Sequence, residues 1–137
     1  MDDPRENPMP GQAPPPPPYD PLSEEAAELI AARLRVIAEP MRIRLIGALN
    51  EGAATRQSLR ARLGTSPQNV SKHLAILHQA GMVSRRRDGG RIEYDLSDWT
   101  GWWMVRRVAE SIAVHLDGQR EILAPLGRDG SSHQGTT

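Results

Sequence analysis

The chain has 137 residues, with no cysteine, no phenylalanine, and 17 basic against 17 acidic side chains. That length suits one domain with tails, and the lack of cysteine excludes disulfides, thiolate metal sites and thiol nucleophiles. No apolar run approaches the roughly 20 residues a membrane helix needs, and Met1-Asp2-Asp3-Pro4 has neither the basic start nor the apolar stretch of a secretory leader, so a cytoplasmic protein with no membrane partner is expected.

Zero net charge hides a segregation. Between Arg56 and Arg91 stand Arg56, Arg60, Arg62, Lys72, Arg85, Arg86, Arg87 and Arg91 with Asp88 as the only acid, a net +7 balanced by −7 elsewhere. A phosphate backbone responds to that local field, not to the average.

Residues 1–21 read as a disordered tail, since the run Pro14 to Pro18 favours polyproline II and offers no apolar face. Ser23 then caps a helix bearing Ala26, Ile30, Leu34 and Ile37 at helical spacing. Pro40 ends it and opens a second helix with Ile43, Leu45, Ile46 and Leu49. Thr55 caps a short helix that stops at Gly64, and Ser66-Pro67 form the N-cap and first turn of a helix running to about Ala80.

After Gly81 the pattern becomes extended. Met82 to Arg87 and Arg91 to Leu96 flank Asp88-Gly89-Gly90, a strong hairpin signal. Ser97 is expected to cap a last helix to about Leu123, in which Trp102, Val105, Ala109, Ile112 and Leu116 are spaced 3, 4, 3, 4, a seam suited to a partner helix. The expected fold is mainly α with a small β-hairpin: one domain over 22–124, followed by a disordered tail over 125–137.

Thr55 to Leu96 is the informative unit, because two short helices around a tight turn followed by a hairpin form a winged helix-turn-helix. Val70, Leu74 and Leu77 fall on one stripe of the second helix and should face the core, while Gln68, Ser71, Lys72, Ala75 and Gln79 fall opposite. Gln can bond adenine bidentately, Lys reaches guanine or phosphate, and Ser bonds either. Taken alone, that face could equally be an ordinary solvated one. Arg85, Arg86, Arg87 and Arg91 on a protruding hairpin suit phosphates or a narrow minor groove, whereas protection of an edge strand would mix Lys with Glu.

Glu39-Pro40-Met41-Arg42-Ile43-Arg44-Leu45-Ile46 resembles a helix of the arsenical-resistance repressor (ArsR) family, and Ser66 to Val83, read as S-P-Q-N-V-S-K-H-L-A-I-L-H-Q-A-G-M-V, resembles its recognition-helix signature. The Arg-rich wing ending Tyr94-Asp95-Leu96 matches as well, so the likeness covers roughly residues 25 to 117. It implies a regulator of bacterial type, a repressor, that binds a pseudo-palindromic double-stranded operator as a homodimer. The implied DNA-reading positions are Gln68, Asn69, Ser71, Lys72 and His73, with Ser66 at the helix start. Helical geometry supports Gln68, Ser71 and Lys72, while Asn69 and His73 rest on the resemblance. The family dimerises through its first and last helices, which points to Ile30 and Leu34 together with Trp102, Val105, Ala109, Ile112 and Leu116.

Many members of that family sense metals, but the cysteine type is impossible here. His115 has only scattered carboxylates nearby (Glu110, Asp117, Glu121), and His73 and His78 do not share a face. No metal and no cofactor is expected. Trp99, Trp102 and Trp103 could line an effector pocket, though in a chain without Phe they read better as core and interface bulk. An effector or protein partner is left unidentified. No convergent set of nucleophile, base or paired carboxylates suggests an enzyme. The remaining rivals are a winged helix used for protein interaction alone and the related multiple-antibiotic-resistance (MarR) type, which the short length and the recognition helix disfavour.

Overall fold

The computed structural model describes residues 18–115. Residues 1–17 of the expected first tail, the whole of the expected last tail, Leu116 and the expected extension to Leu123 lie outside the described residues. Among the described residues, five helices and three strands follow in the order α1 (Glu24–Ile37), α2 (Pro40–Asn50), β1 (Ala54–Thr55), α3 (Arg56–Leu63), α4 (Pro67–Gln79), β2 (Val83–Asp88), β3 (Arg91–Leu96) and α5 (Thr100–His115).

The helix starts follow the side-chain caps. Ser23 accepts from the Ala26 amide, Thr55 from Ser58 at 3.1 Å and Ser66 from Asn69 at 3.1 Å, each satisfying an amide that the first turn leaves free. Glu39 does the same for α2, where Pro40 occupies the first turn. Gly64 closes α3 in the left-handed region at φ 62°.

Ser97 does not cap α5. α5 begins at Thr100, two residues beyond the position next to Ser97; the Ser97 hydroxyl donates to the Gly81 carbonyl, and Asp98 accepts from the Thr100 amide at 2.9 Å.

The hairpin turns over Gly89-Gly90, both at positive φ (59° and 85°), with Asp88 opposite Arg91. Such a two-residue turn matches the right-handed twist of the strands and needs φ above zero at both positions. The sheet order is β1-β3-β2, all antiparallel. β1 is not among the elements expected from sequence. It pairs Ala54 with Tyr94 and Thr55 with Glu93, anchoring the root of the hairpin to the start of α3.

Between the helices and the sheet lies one core. Leu45, Ile46 and Leu49 from α2 meet Leu59, Val70, Leu74 and Leu77 from α3 and α4, and Met82 and Val83 close it from below. Each such side chain contributes roughly 1.5–3 kcal/mol on burial. Trp102 also points inward, 3% exposed and against Gly47, so this first position of the expected seam is a core residue and not part of an outer face.

In α1 the only buried residue is Ile37. Polar ties hold the helix down. Arg33 bonds the Ala80 carbonyl at the end of α4 and pairs with Asp98 at 2.8 Å, ahead of α5. Arg42 of α2 donates to the Val36 carbonyl at 2.5 Å and to Nδ1 of His73 at 3.1 Å.

Candidate nucleic-acid interface

α3 and α4 meet around the αL residue Gly64, and the hairpin projects beside α4. The stripe of Val70, Leu74 and Leu77 is fully buried, as its spacing requires, and this turns the opposite stripe outward. Gln68, Lys72, Ala75 and Gln79 are exposed, and Ser71 is half-buried among them. Ser66 is exposed at the N-cap, its Oγ engaged by the Asn69 amide.

Two expected positions sit elsewhere. Asn69 is half-buried and donates through Nδ2 to Thr65 Oγ1 at 3.0 Å, so it braces the turn before α4. His73 is 6% exposed and faces α2, where Arg42 and, at 3.6 Å, Glu39 meet its Nδ1. His73, a DNA-reading position by the resemblance alone, is therefore turned inward: three residues from Val70 and four from Leu77, it belongs to the inward arc, at the edge of the core stripe where helical geometry puts it.

The wing arginines are all exposed, but strand alternation sends them to two faces. Arg85 and Arg87 lie opposite Tyr94 and Ile92, on the face that turns toward α4, where Arg85 borders a cleft with Ser71, Ala75, His78 and Gln79. Arg86 lies on the other face, paired with Glu93 at 3.3 Å. Arg91 borders a second cleft with Thr55, Gln57 and Tyr94.

A third and larger cleft, about 840 Å³, opens between α3 and α4 and is lined by Arg56, Gln57, Arg60, Pro67, Gln68, Ser71 and Lys72. Arg56, Gln57 and Arg60 are not among the site positions expected from sequence, although all three lie in the +7 segment and the two arginines contribute to its charge. The signal was present, since Arg56 and Arg60 are four apart on one helix and so share a face. Arg56 borders all three clefts and donates to Ser71 Oγ at 3.0 Å. The assembled surface is a convex polar helix flanked by arginines on both sides, a shape and charge that complement a major groove and its phosphates.

Comparison with known proteins agrees with this geometry. A helix-turn-helix domain profile matches residues 37–86. The chain is 38% identical over 78 residues to the HTH-type transcriptional regulator CmtR of Mycobacterium tuberculosis, covering 56% of this chain and 66% of that one, just under two thirds of its length. It is 33% identical over 108 residues to the HTH-type transcriptional regulator Rv0081 of the same species, covering 78% of this chain and 85% of the relative. Among solved structures, NolR from Sinorhizobium fredii superposes with a TM-score of 0.60 at 29% identity, over 69% of this chain and 94% of that one. With its winged fold, its outward-facing polar α4 and relatives of this kind, the chain belongs to the ArsR family of helix-turn-helix transcriptional regulators.

Proposed function

We propose that this protein is a transcriptional repressor that binds a pseudo-palindromic DNA operator as a homodimer, and that it is not a catalyst. The observation that carries the reading is the outer face of α4, with Gln68 and Lys72 exposed and Ser71 half-buried between Arg56 on one side and Arg85 on the other. Gln68 stands in the first turn of α4, the part of a recognition helix that reaches base edges. Ser66, Arg87 and Arg91 supply phosphate contacts around it, and Asn69 and His73 support the helix from behind.

Dimerisation is supported by an apolar groove of about 350 Å³ between α1 and α5, lined by Leu34, Ile43, Val105, Val108, Ala109 and Ile112 among others. Val108 is 54% exposed and Leu34 40%, and both line this groove, which is costly for large apolar side chains brought together on a surface. A second copy brings its own α1 and α5 to cover them, with Ile30 at the margin. Two-fold pairing also sets two recognition helices about one or more DNA turns apart, as a palindromic operator requires. No helix among the described residues is long and apolar enough to cross a membrane, and the reading places the protein in the bacterial cytoplasm with the DNA.

A mobility-shift titration with DNA from upstream of the protein's own gene tests this. A discrete complex that survives excess random competitor supports it. Binding that competitor abolishes in proportion to its mass, on every promoter tried, would overturn it in favour of a protein-interaction module.

A further inference from the structure

We propose that Arg56 and Ser71 form a single reading element that selects a base offering acceptors in the major groove, guanine foremost, at one position of each half-site. The inference rests on the DNA-reading function proposed above and adds to it a residue outside the recognition helix.

Arg56 is the first residue of α3, and its Nη1 donates to Ser71 Oγ, 3.0 Å away on α4. A serine hydroxyl carries one hydrogen and two lone pairs. The guanidinium occupies one lone pair and its positive charge turns the hydroxyl hydrogen away. No acceptor among the described residues takes that hydrogen. Arg56 itself keeps further N–H groups beyond the one spent on Ser71.

The cleft at this point is therefore rich in donors. Lys72 and Arg60, which line it too, can only donate, and Ser71 is fixed as a donor by its partner. Guanine presents O6 and N7, two acceptors side by side, whereas cytosine N4 and adenine N6 present donors that meet donors here. Ala75, one turn after Ser71 on the same stripe, is small and exposed, so it leaves room for a base edge to approach. Because Arg56 borders the clefts on both sides of α4 and the one under the wing, a duplex seated on α4 passes directly over it. A guanidinium that only neutralised phosphate would need no partner on the recognition helix.

In vitro selection from a duplex library with a randomised centre, followed by sequencing, tests this on the full chain and on R56A, R56K and S71A. The native chain should enrich guanine at one position per half-site by roughly tenfold or more over the other bases. R56A and S71A should lose that preference alone and keep the rest of the motif. R56K keeps the positive charge and should keep the rest of the motif, yet still lose the guanine preference, because an ammonium lacks the planar fork. An unchanged motif in R56A, with uniformly weaker binding, makes Arg56 a phosphate contact and overturns the inference. A native chain that selects no motif overturns the DNA-reading function itself, and that failure is told apart because it occurs without any substitution.

Discussion

Arg42 of α2 donates through Nη1 to Nδ1 of His73 in α4, 3.1 Å away across the core boundary. An arginine can only donate, so in this bond the histidine nitrogen accepts. The same guanidinium holds the Val36 and Arg35 carbonyls at the end of α1. One side chain thus joins α1, α2 and α4.

Arg42→Met keeps much of the apolar stem but strands a buried imidazole and two carbonyls. It should lower stability by about 2–3 kcal/mol, since a buried polar group left without a partner costs roughly 1–3 kcal/mol. Urea unfolding reads this as a lower midpoint with an unchanged slope. Arg44→Met, two residues along and exposed, should stay within about 0.5 kcal/mol of the native chain. Equal effects from the two would show that the His73 tie contributes nothing.

Gln68→Ala should weaken operator binding by about 1–3 kcal/mol and leave random-DNA binding nearly untouched, because base contacts carry sequence information and backbone contacts do not. Fluorescence anisotropy on both DNAs gives the two numbers. Equal losses on both would remove α4 as the reader.

The two faces of the wing give opposite expectations. Arg85→Ala and Arg87→Ala should weaken every DNA alike and flatten the slope of log affinity against log salt by roughly one unit for each phosphate no longer neutralised. Glu93→Gln releases Arg86 from its 3.3 Å pair and should strengthen random-DNA binding and steepen the slope. A salt series on Glu93→Gln that overlays the native one would show that Glu93 does not hold Arg86 back.

Val108→Asp places a charge on a side chain that is exposed in the monomer but covered in the proposed dimer. It should give a folded monomer by sedimentation, with native far-UV circular dichroism and much weaker operator binding, and Ile112→Asp should do the same. A native chain that sediments as a monomer at micromolar concentration would remove the dimer.

What could be read from the sequence was local. Ser23, Thr55 and Ser66-Pro67 declare helix starts by chemistry that acts within three residues, and Gly89-Gly90 declares its turn by backbone freedom alone. Choices settled by distant partners were hidden. β1 is two residues long and exists only because Tyr94 and Glu93 come back to pair with it. On α5 the apolar residues wrap far enough round that spacing alone could not say which arc meets the molecule's own core. Trp102 turned inward, and Met104 and Val108, absent from the expected seam, line the outer groove. For Arg56 the sequence showed a face shared with Arg60, but not the bond to Ser71, which joins residues fifteen positions apart.

The bond from Arg33 to the Ala80 carbonyl gives α4 the mechanics of a lever. The helix is clamped at its far end by α1, the element proposed to meet a second protomer, while Gln68 stands at the opposite end, roughly 18 Å away at 1.5 Å per residue. A tilt of about 5° about Ala80 moves Gln68 by about 1.6 Å. Base-edge hydrogen bonds tolerate only about 0.5 Å between their short and long limits. The same tilt would carry the fully buried Val70 by about 1.3 Å, so it is the core packed along α4, and not the clamp at Ala80 alone, that keeps the outward end of the helix in place.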